Sequence, residues 1–161
     1  MNFKRTVSLL IAGFLFGACV PKEYVKQNAV LIIFKTPAFK YADMGFIYEN
    51  EDETKVDIYS SGQSLMTLNI TKSSVCMSLF ECMSKISFNR KVLNSMYPEN
   101  IVENIFRGKQ IFNGESLEKN RNGFTQNIIK QGKYNIDYSV LNNEVIFRDT
   151  INAIFIKIKK Q

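Results

Sequence analysis

Few side chains in this sequence have the types and spacing to do chemistry. Histidine and tryptophan are absent, which removes the usual general base, the commonest metal ligand and every Ser-His-Asp or Cys-His nucleophile arrangement. Three carboxylates, Asp43, Asp57 and Asp137, invite a general acid/base pair, but each falls on the polar side of an alternating stretch with no partner base, so no catalytic residue and no enzyme is expected. The thiols are Cys19, Cys76 and Cys82. Without histidine, Cys76 and Cys82 fall short of a four-ligand zinc site, so no metal and no cofactor is expected. No glycine-rich phosphate loop follows a strand.

The position of Cys19 gives it a different chemistry. Lys4 and Arg5 precede the apolar run Val7 to Phe16, a basic region and an apolar core of leader length, too short to span a bilayer. The run ends Leu15-Phe16-Gly17-Ala18-Cys19, which resembles the lipobox of bacterial lipoproteins, with Phe16 departing from the smaller aliphatic residue the pattern prefers. That resemblance implies a signal peptide over residues 1–18 and acylation of Cys19 as the first mature residue. Acyl chains, at about 0.8 kcal/mol per buried methylene, would hold the chain to membrane lipid. Val20-Pro21 lack the aspartate associated with inner-membrane retention, so the resemblance points to the periplasmic face of the outer membrane. Residues 19–28 read as a lipidated tether and 29–161 as one domain. The formal charge is +6, of which Lys4 and Arg5 belong to the leader. Export makes disulfides sustainable. A Cys76–Cys82 bridge needs a turn between them, since six residues along a continuous helix or strand hold the Cα atoms too far apart; two buried thiols are the alternative.

The elements that must position these residues are mostly strands. Ala29 to Phe34 is a continuous apolar run. In Tyr41 to Glu49, the residues Ala42, Met44, Phe46 and Tyr48 share one face, which we assign to the interior. Asn50 to Glu53 reads as a hairpin loop, Thr54 to Tyr59 as a strand with Ile58 inward, Ser60-Ser61-Gly62 as a turn, and Met66, Leu68 and Ile70 as the apolar face of the next strand, with another over Ser73 to Met77. Tyr97 to Gly108 has proline early, acids near the start, Arg107 late and Gly108 beyond, which predicts a short helix with Ile101, Val102, Ile105 and Phe106 on one stripe. A second helix is expected between Lys85 and Ser95. Gly114 to Gly123 reads as a loop. Strands resume at Phe124 to Ile129 and at Lys133 to Leu141, where Tyr134, Ile136, Tyr138 and Val140 alternate with polar residues. Asn142-Asn143 turns the chain into Val145 and Phe147, and the last strand runs from Ile151 to Lys159. Lys157, Lys159 and Lys160 read as a solvated strand edge, so no nucleic acid is expected. The fold class is α+β, mainly antiparallel β.

In element order this chain resembles the LolB outer-membrane lipoprotein receptors and their periplasmic relatives, the LolA carriers. Three stretches carry the likeness: KVDIYSSGQSLMTLNI up to Ile70, YPENIVENIFRG from Tyr97 to Gly108, and the strands from Gly123 to Lys159. The resemblance implies a curved, incomplete β-barrel covered by short helices. It implies an apolar cavity that shelters the acyl chains of a lipoprotein cargo received from a LolA-like carrier and then inserted into the membrane, and it implies a monomer. The lining expected is Met44, Phe46, Ile58, Met66, Leu68, Tyr134, Ile136 and Tyr138, with Ile101, Ile105 and Phe106 from the helical cover. Ser60, Ser61 and Gly62 stand where the family carries its insertion loop, and Ser61 replaces the exposed leucine. A different class of function would use the same elements as a structural or assembly-partner lipoprotein, similar to LptE, or as a surface antigen, with a packed interior and no cavity.

Overall fold

The computed structural model describes residues 23–161 other than Leu79, and the backbone alone at Phe80. The leader, Cys19 and the first residues of the expected tether lie outside the described residues.

The described chain forms one eleven-stranded antiparallel sheet. Strands β1 (Lys26–Lys35), β2 (Lys40–Glu49), β3 (Glu53–Ser60), β4 (Gln63–Thr71), β5 (Ser74–Met77) and β6 (Phe80–Ser84) follow one another. Two short helices, α1 (Lys85–Val92) and α2 (Ile101–Arg107), come next, followed by β7 (Leu117–Asn120), β8 (Gly123–Lys130), β9 (Tyr134–Leu141), β10 (Glu144–Asp149) and β11 (Ile154–Lys160). The order across the sheet is β6-β5-β4-β3-β2-β1-β11-β10-β9-β8-β7. Every step is a hairpin except the central one, where β1 pairs with β11 and Val30 lies opposite Lys160. The sheet is open, since β6 and β7 are edges.

One face is mostly apolar, with Thr54, Gln126 and Asp149 as buried polar exceptions. Val30, Ile32 and Phe34 of β1, Met66, Leu68 and Ile70 of β4, and Ile154, Ile156 and Ile158 of β11 are almost fully buried in one cluster with the helices. The helices dictate the curvature. Helix α2 packs on both β3 and β10, which are four steps apart in the sheet and about 19 Å apart if it were flat. A helix is about 10 Å across, so the sheet must bend around it. Gly45 assists the bend: it lies on the inner face of β2 opposite Val30 and Ile58, where a Cβ would stand 2.4 Å from the Asp57 carbonyl oxygen.

Local sequence sets the element ends. Ser84 caps α1 by accepting from the Ser87 amide, and Arg90 and Lys91 occupy its last turn. Gly108 ends α2 in the left-handed region at φ 63°. Ser61 and Gly62 both take positive φ in the β3–β4 turn, and Asn142 does so between β9 and β10.

Several expectations need correction. The tether ends sooner, because Lys26 to Asn28 already pair with Glu49 to Ile47. Gly114 to Gly123 is not all loop but contains the short exposed edge strand β7. Helix α2 starts at Ile101, after Pro98, and the last strand at Ile154, after a turn over residues 150–153.

Candidate functional site

The candidate site is the concave face of the sheet and the helical strap across it. The strap leaves β6, packs α1 on β5 and β6, and returns through α2 to β7. Phe88 and Val92 of α1, and Ile101, Val102, Ile105 and Phe106 of α2, are buried against the sheet, with the Phe106 ring edge-on to Phe34 at 5.9 Å between centroids.

Of the expected lining, Ile58, Met66, Leu68, Ile101, Ile105, Phe106, Tyr134, Ile136 and Tyr138 meet on this inner face. Met44 and Phe46 do not. Met44 is 41% exposed and Phe46 is half-buried on the opposite, outer face beside Tyr48 and Tyr59. The more apolar parity, Ala42, Met44, Phe46 and Tyr48, faces outward, and the parity that wins, although it carries Asp43 and Glu49, places Gly45 and Ile47 inward, where only a glycine fits against Asp57. Ser60, Ser61 and Gly62 form the β3–β4 turn at the end of the sheet opposite the start of β1.

Polar ties fasten the strap at its margins. Tyr97, just before α2, donates its hydroxyl to the Asp149 carboxylate. That carboxylate also accepts from Asn152 Nδ2 at 2.6 Å and from the amides of Asn135, Ile151 and Asn152. Asn152 in turn accepts from Asn94 Nδ2 at 2.6 Å. Gln126 of β8 is buried and works as a clamp: its Oε1 accepts from the Ile111 amide at 2.8 Å, while its Nε2 donates to the carbonyls of Ile111 and Glu115. Tyr138 donates to the Lys109 carbonyl at 2.9 Å. Arg107 donates to the Asn50 carbonyl in the β2–β3 turn at 2.9 Å. Between the helices, the Lys85 ammonium, 1% exposed, donates to Asn100 Oδ1 at 2.9 Å and to Glu103 Oε2 at 2.7 Å.

Burial, reinforced by the Asp149 charge, pushes the Tyr97 hydroxyl far above its ordinary value, and burial does the same to Tyr138. Both therefore stay protonated donors across any physiological pH. The sequence reading missed Tyr97, Asp149, Gln126 and Lys85. A signal existed for two of them: Asp149 follows Val145 and Phe147, and Gln126 precedes Ile128, at the inward parity of their strands.

The aspartates first considered for acid/base work are separate. Asp57 pairs with Lys55 at 2.7 Å and accepts from Thr67, Asp137 accepts from Asn127, and Asp43 accepts from its neighbour's amide. Cys76 and Cys82 are joined in a disulfide that spans the β5–β6 hairpin, with Cα atoms 4.0 Å apart, so the turn that bonding requires is present. Among the described residues no helix is long and apolar enough to cross a membrane. No protein-family model matches the chain, and no curated protein matches it.

Proposed function

We propose that this chain is a lipid-anchored acceptor of lipoprotein acyl chains, with a LolB-like fold, held by an acylated Cys19 at the periplasmic face of the outer membrane. The observation that carries the reading is the pairing of an open, curved eleven-strand sheet, apolar over most of its concave face, with a helical strap that crosses the trough and is tied by hydrogen bonds at its margins. An acyl chain needs a continuous apolar path. The strap's contribution to the interior, chiefly Ile101, Ile105 and Phe106, is a hydrocarbon surface that an acyl chain can replace in kind. Burial of each methylene contributes about 0.8 kcal/mol, so exchanging helix face for acyl chain changes little apolar area while releasing the strap. The cargo arrives from a soluble LolA-like carrier, because three acyl chains do not cross water unshielded. Ser61 in place of an apolar loop residue makes loading easier to retain than insertion into a bilayer.

A second reading is favoured by one observation. Ile58, Met66, Leu68, Ile105 and Ile136 are at zero exposure, as in a scaffold with a filled core, similar to LptE or a surface antigen. Titration of residues 23–161 with a fluorescent fatty acid separates the two. Saturable binding, displaced by unlabelled oleate, supports the acceptor, and absence of saturable binding by the folded chain leaves the scaffold. Metabolic labelling with a radioactive fatty acid tests the anchor: label that persists in Cys19→Ala refutes acylation at Cys19.

A further inference from the structure

The outer face of the sheet is uneven. A sheet with one packed face normally shows polar residues on the other, and β4 and β9 do so with Thr67, Asn69 and Thr71, and with Asn135, Asp137 and Ser139. The central strands do not. On β1 the outward residues are Ala29, Leu31 and Ile33, and across the ladder they meet Phe46, Met44 and Ala42 of β2. Cations border this strip. Lys157 and Lys159 of β11 lie directly opposite Ile33 and Leu31. At the end of β1, Lys35 lies opposite Lys40 on one side and Phe155 on the other, and the Arg148 guanidinium sits 5.1 Å from the centre of the Phe155 ring. Like charges directly opposite disfavour a sheet, yet among the described residues Lys35, Lys40, Lys159 and Arg148 have no ion pair, and only Lys157 has one, to Glu144 at 2.7 Å. Lys35, Lys40 and Arg148 border a groove of about 450 Å³. The one acid there, Asp149, is buried and engaged by Tyr97 and Asn152.

We infer that this outer face of β2, β1, β11 and β10 rests on the headgroups of an anionic phospholipid bilayer. The inference builds on the membrane-anchored reading above and names the surface that the anchored domain presents. Three arguments select lipid. Lysines interleaved with aliphatic side chains, of which Lys35, Lys40 and Lys159 have no ion pair among the described residues, suit a layer whose phosphates neutralise the ammonium groups while the apolar side chains and lysine stems sit at the acyl boundary. The core of a protein–protein interface is instead depleted in lysine. The third argument is reach. Six residues lie between Cys19 and Lys26, seven Cα steps or at most about 25 Å of extended chain, and they lead directly into β1, the strand at the middle of the strip. The inner face of β1 is covered by α2, so the outer face is the one free to lie down.

The lack of tryptophan allows a clean test. Met44→Trp places a reporter in the strip, and Ile129→Trp, 65% exposed on β8, places one outside it. The acylated full chain of each is reconstituted into vesicles of brominated phosphatidylcholine, with or without phosphatidylglycerol. The expected result is a blue shift and bromine quenching for Met44→Trp only with phosphatidylglycerol, reversed by high salt, and neither effect for Ile129→Trp. Each cation near such a surface shifts docking about five-fold, so Lys35→Gln with Lys40→Gln should lower the docked-to-free ratio about twenty-five-fold. Emission from Met44→Trp that matches Ile129→Trp, or quenching equally strong in pure phosphatidylcholine, overturns the inference. So does a shift that occurs only when a partner protein is added. Failure of the anchor reading gives a different result: the chain then fails to float with any vesicle of pure phosphatidylcholine.

Discussion

Tyr97→Phe removes one hydroxyl and tests whether the strap is a clasp. The ring contacts with Phe112, Tyr134 and Phe147, at 5.8 to 6.1 Å between centroids, survive the change, so no cavity opens. What is lost is one hydrogen bond to a carboxylate, which contributes about 1.5–3 kcal/mol. Asp149 keeps four other donors, from Asn135, Ile151 and Asn152, so its charge is not orphaned and the lower part of that range applies, about 2 kcal/mol. For a chain of this size that is about 6 °C in Tm. Urea denaturation of residues 23–161 should show the loss in the midpoint with an unchanged slope. If the tie holds the strap over the trough, the same variant should take up a fluorescent fatty acid faster in stopped flow. Unchanged stability would refute the energetic assignment. Lowered stability with an unchanged uptake rate would refute the role of the strap as a cover.

Tyr97 and Tyr138 are both held protonated by the fold, and a raised folded-state pKa contributes stability that is complete below about pH 10 and is lost as pH rises above it, by about 1.4 kcal/mol per pH unit per group. Wild type should therefore lose stability above pH 10 more steeply than Tyr97→Phe/Tyr138→Phe, as read by denaturation at pH 9, 10 and 11; parallel curves would contradict this. Replacing both Cys76 and Cys82 by serine should cost about 2 kcal/mol, the chain entropy released from so short a loop, and an unaltered urea midpoint would show that the β5–β6 hairpin holds without its bridge. Gly45→Ala forces a methyl group against the Asp57 carbonyl and should cost about 1–3 kcal/mol, whereas a stabilised variant would mean that the inner face of β2 is looser than its register implies.

Strands that bury one face were legible in the sequence where only one parity was apolar. Tyr134, Ile136 and Tyr138 alternate with Asn135, Asp137 and Ser139, and they fell as read. In β2 the more apolar parity, with Met44 and Phe46, faces outward, and the choice of Gly45 with Ile47 for the interior, despite Asp43 and Glu49 on the same parity, was made by neighbouring strands that a local pattern does not contain. Strand β7, Leu117–Asn120, has one half-buried residue and three exposed ones, so hydrophobic periodicity offered nothing to detect. The helix cover was readable from the stripe of Ile101, Ile105 and Phe106. The ties that position it were not, because Tyr97 meets Asp149 and Lys85 meets Glu103 only after the sheet has curved and the helices have folded back.

The pairing of β1 with β11 has a consequence for the order in which the molecule assembles. The strands on either side of that seam are hairpin meanders that can close as soon as each next strand is available. The seam joins Val30 to Lys160 and Phe34 to Ile156, and contacts so distant along the chain form late. During synthesis β1 emerges first among the strands and β11 last, so one edge of β1, the strand of Val30, Ile32 and Phe34, stays open until eleven other elements of the sheet and strap have passed. An unpaired edge of that composition invites association with other chains. The time between the emergence of β1 and the arrival of β11 is therefore the period in which this protein is most exposed to misassembly, and the moment at which residues 154–160 become free to pair sets when that period ends.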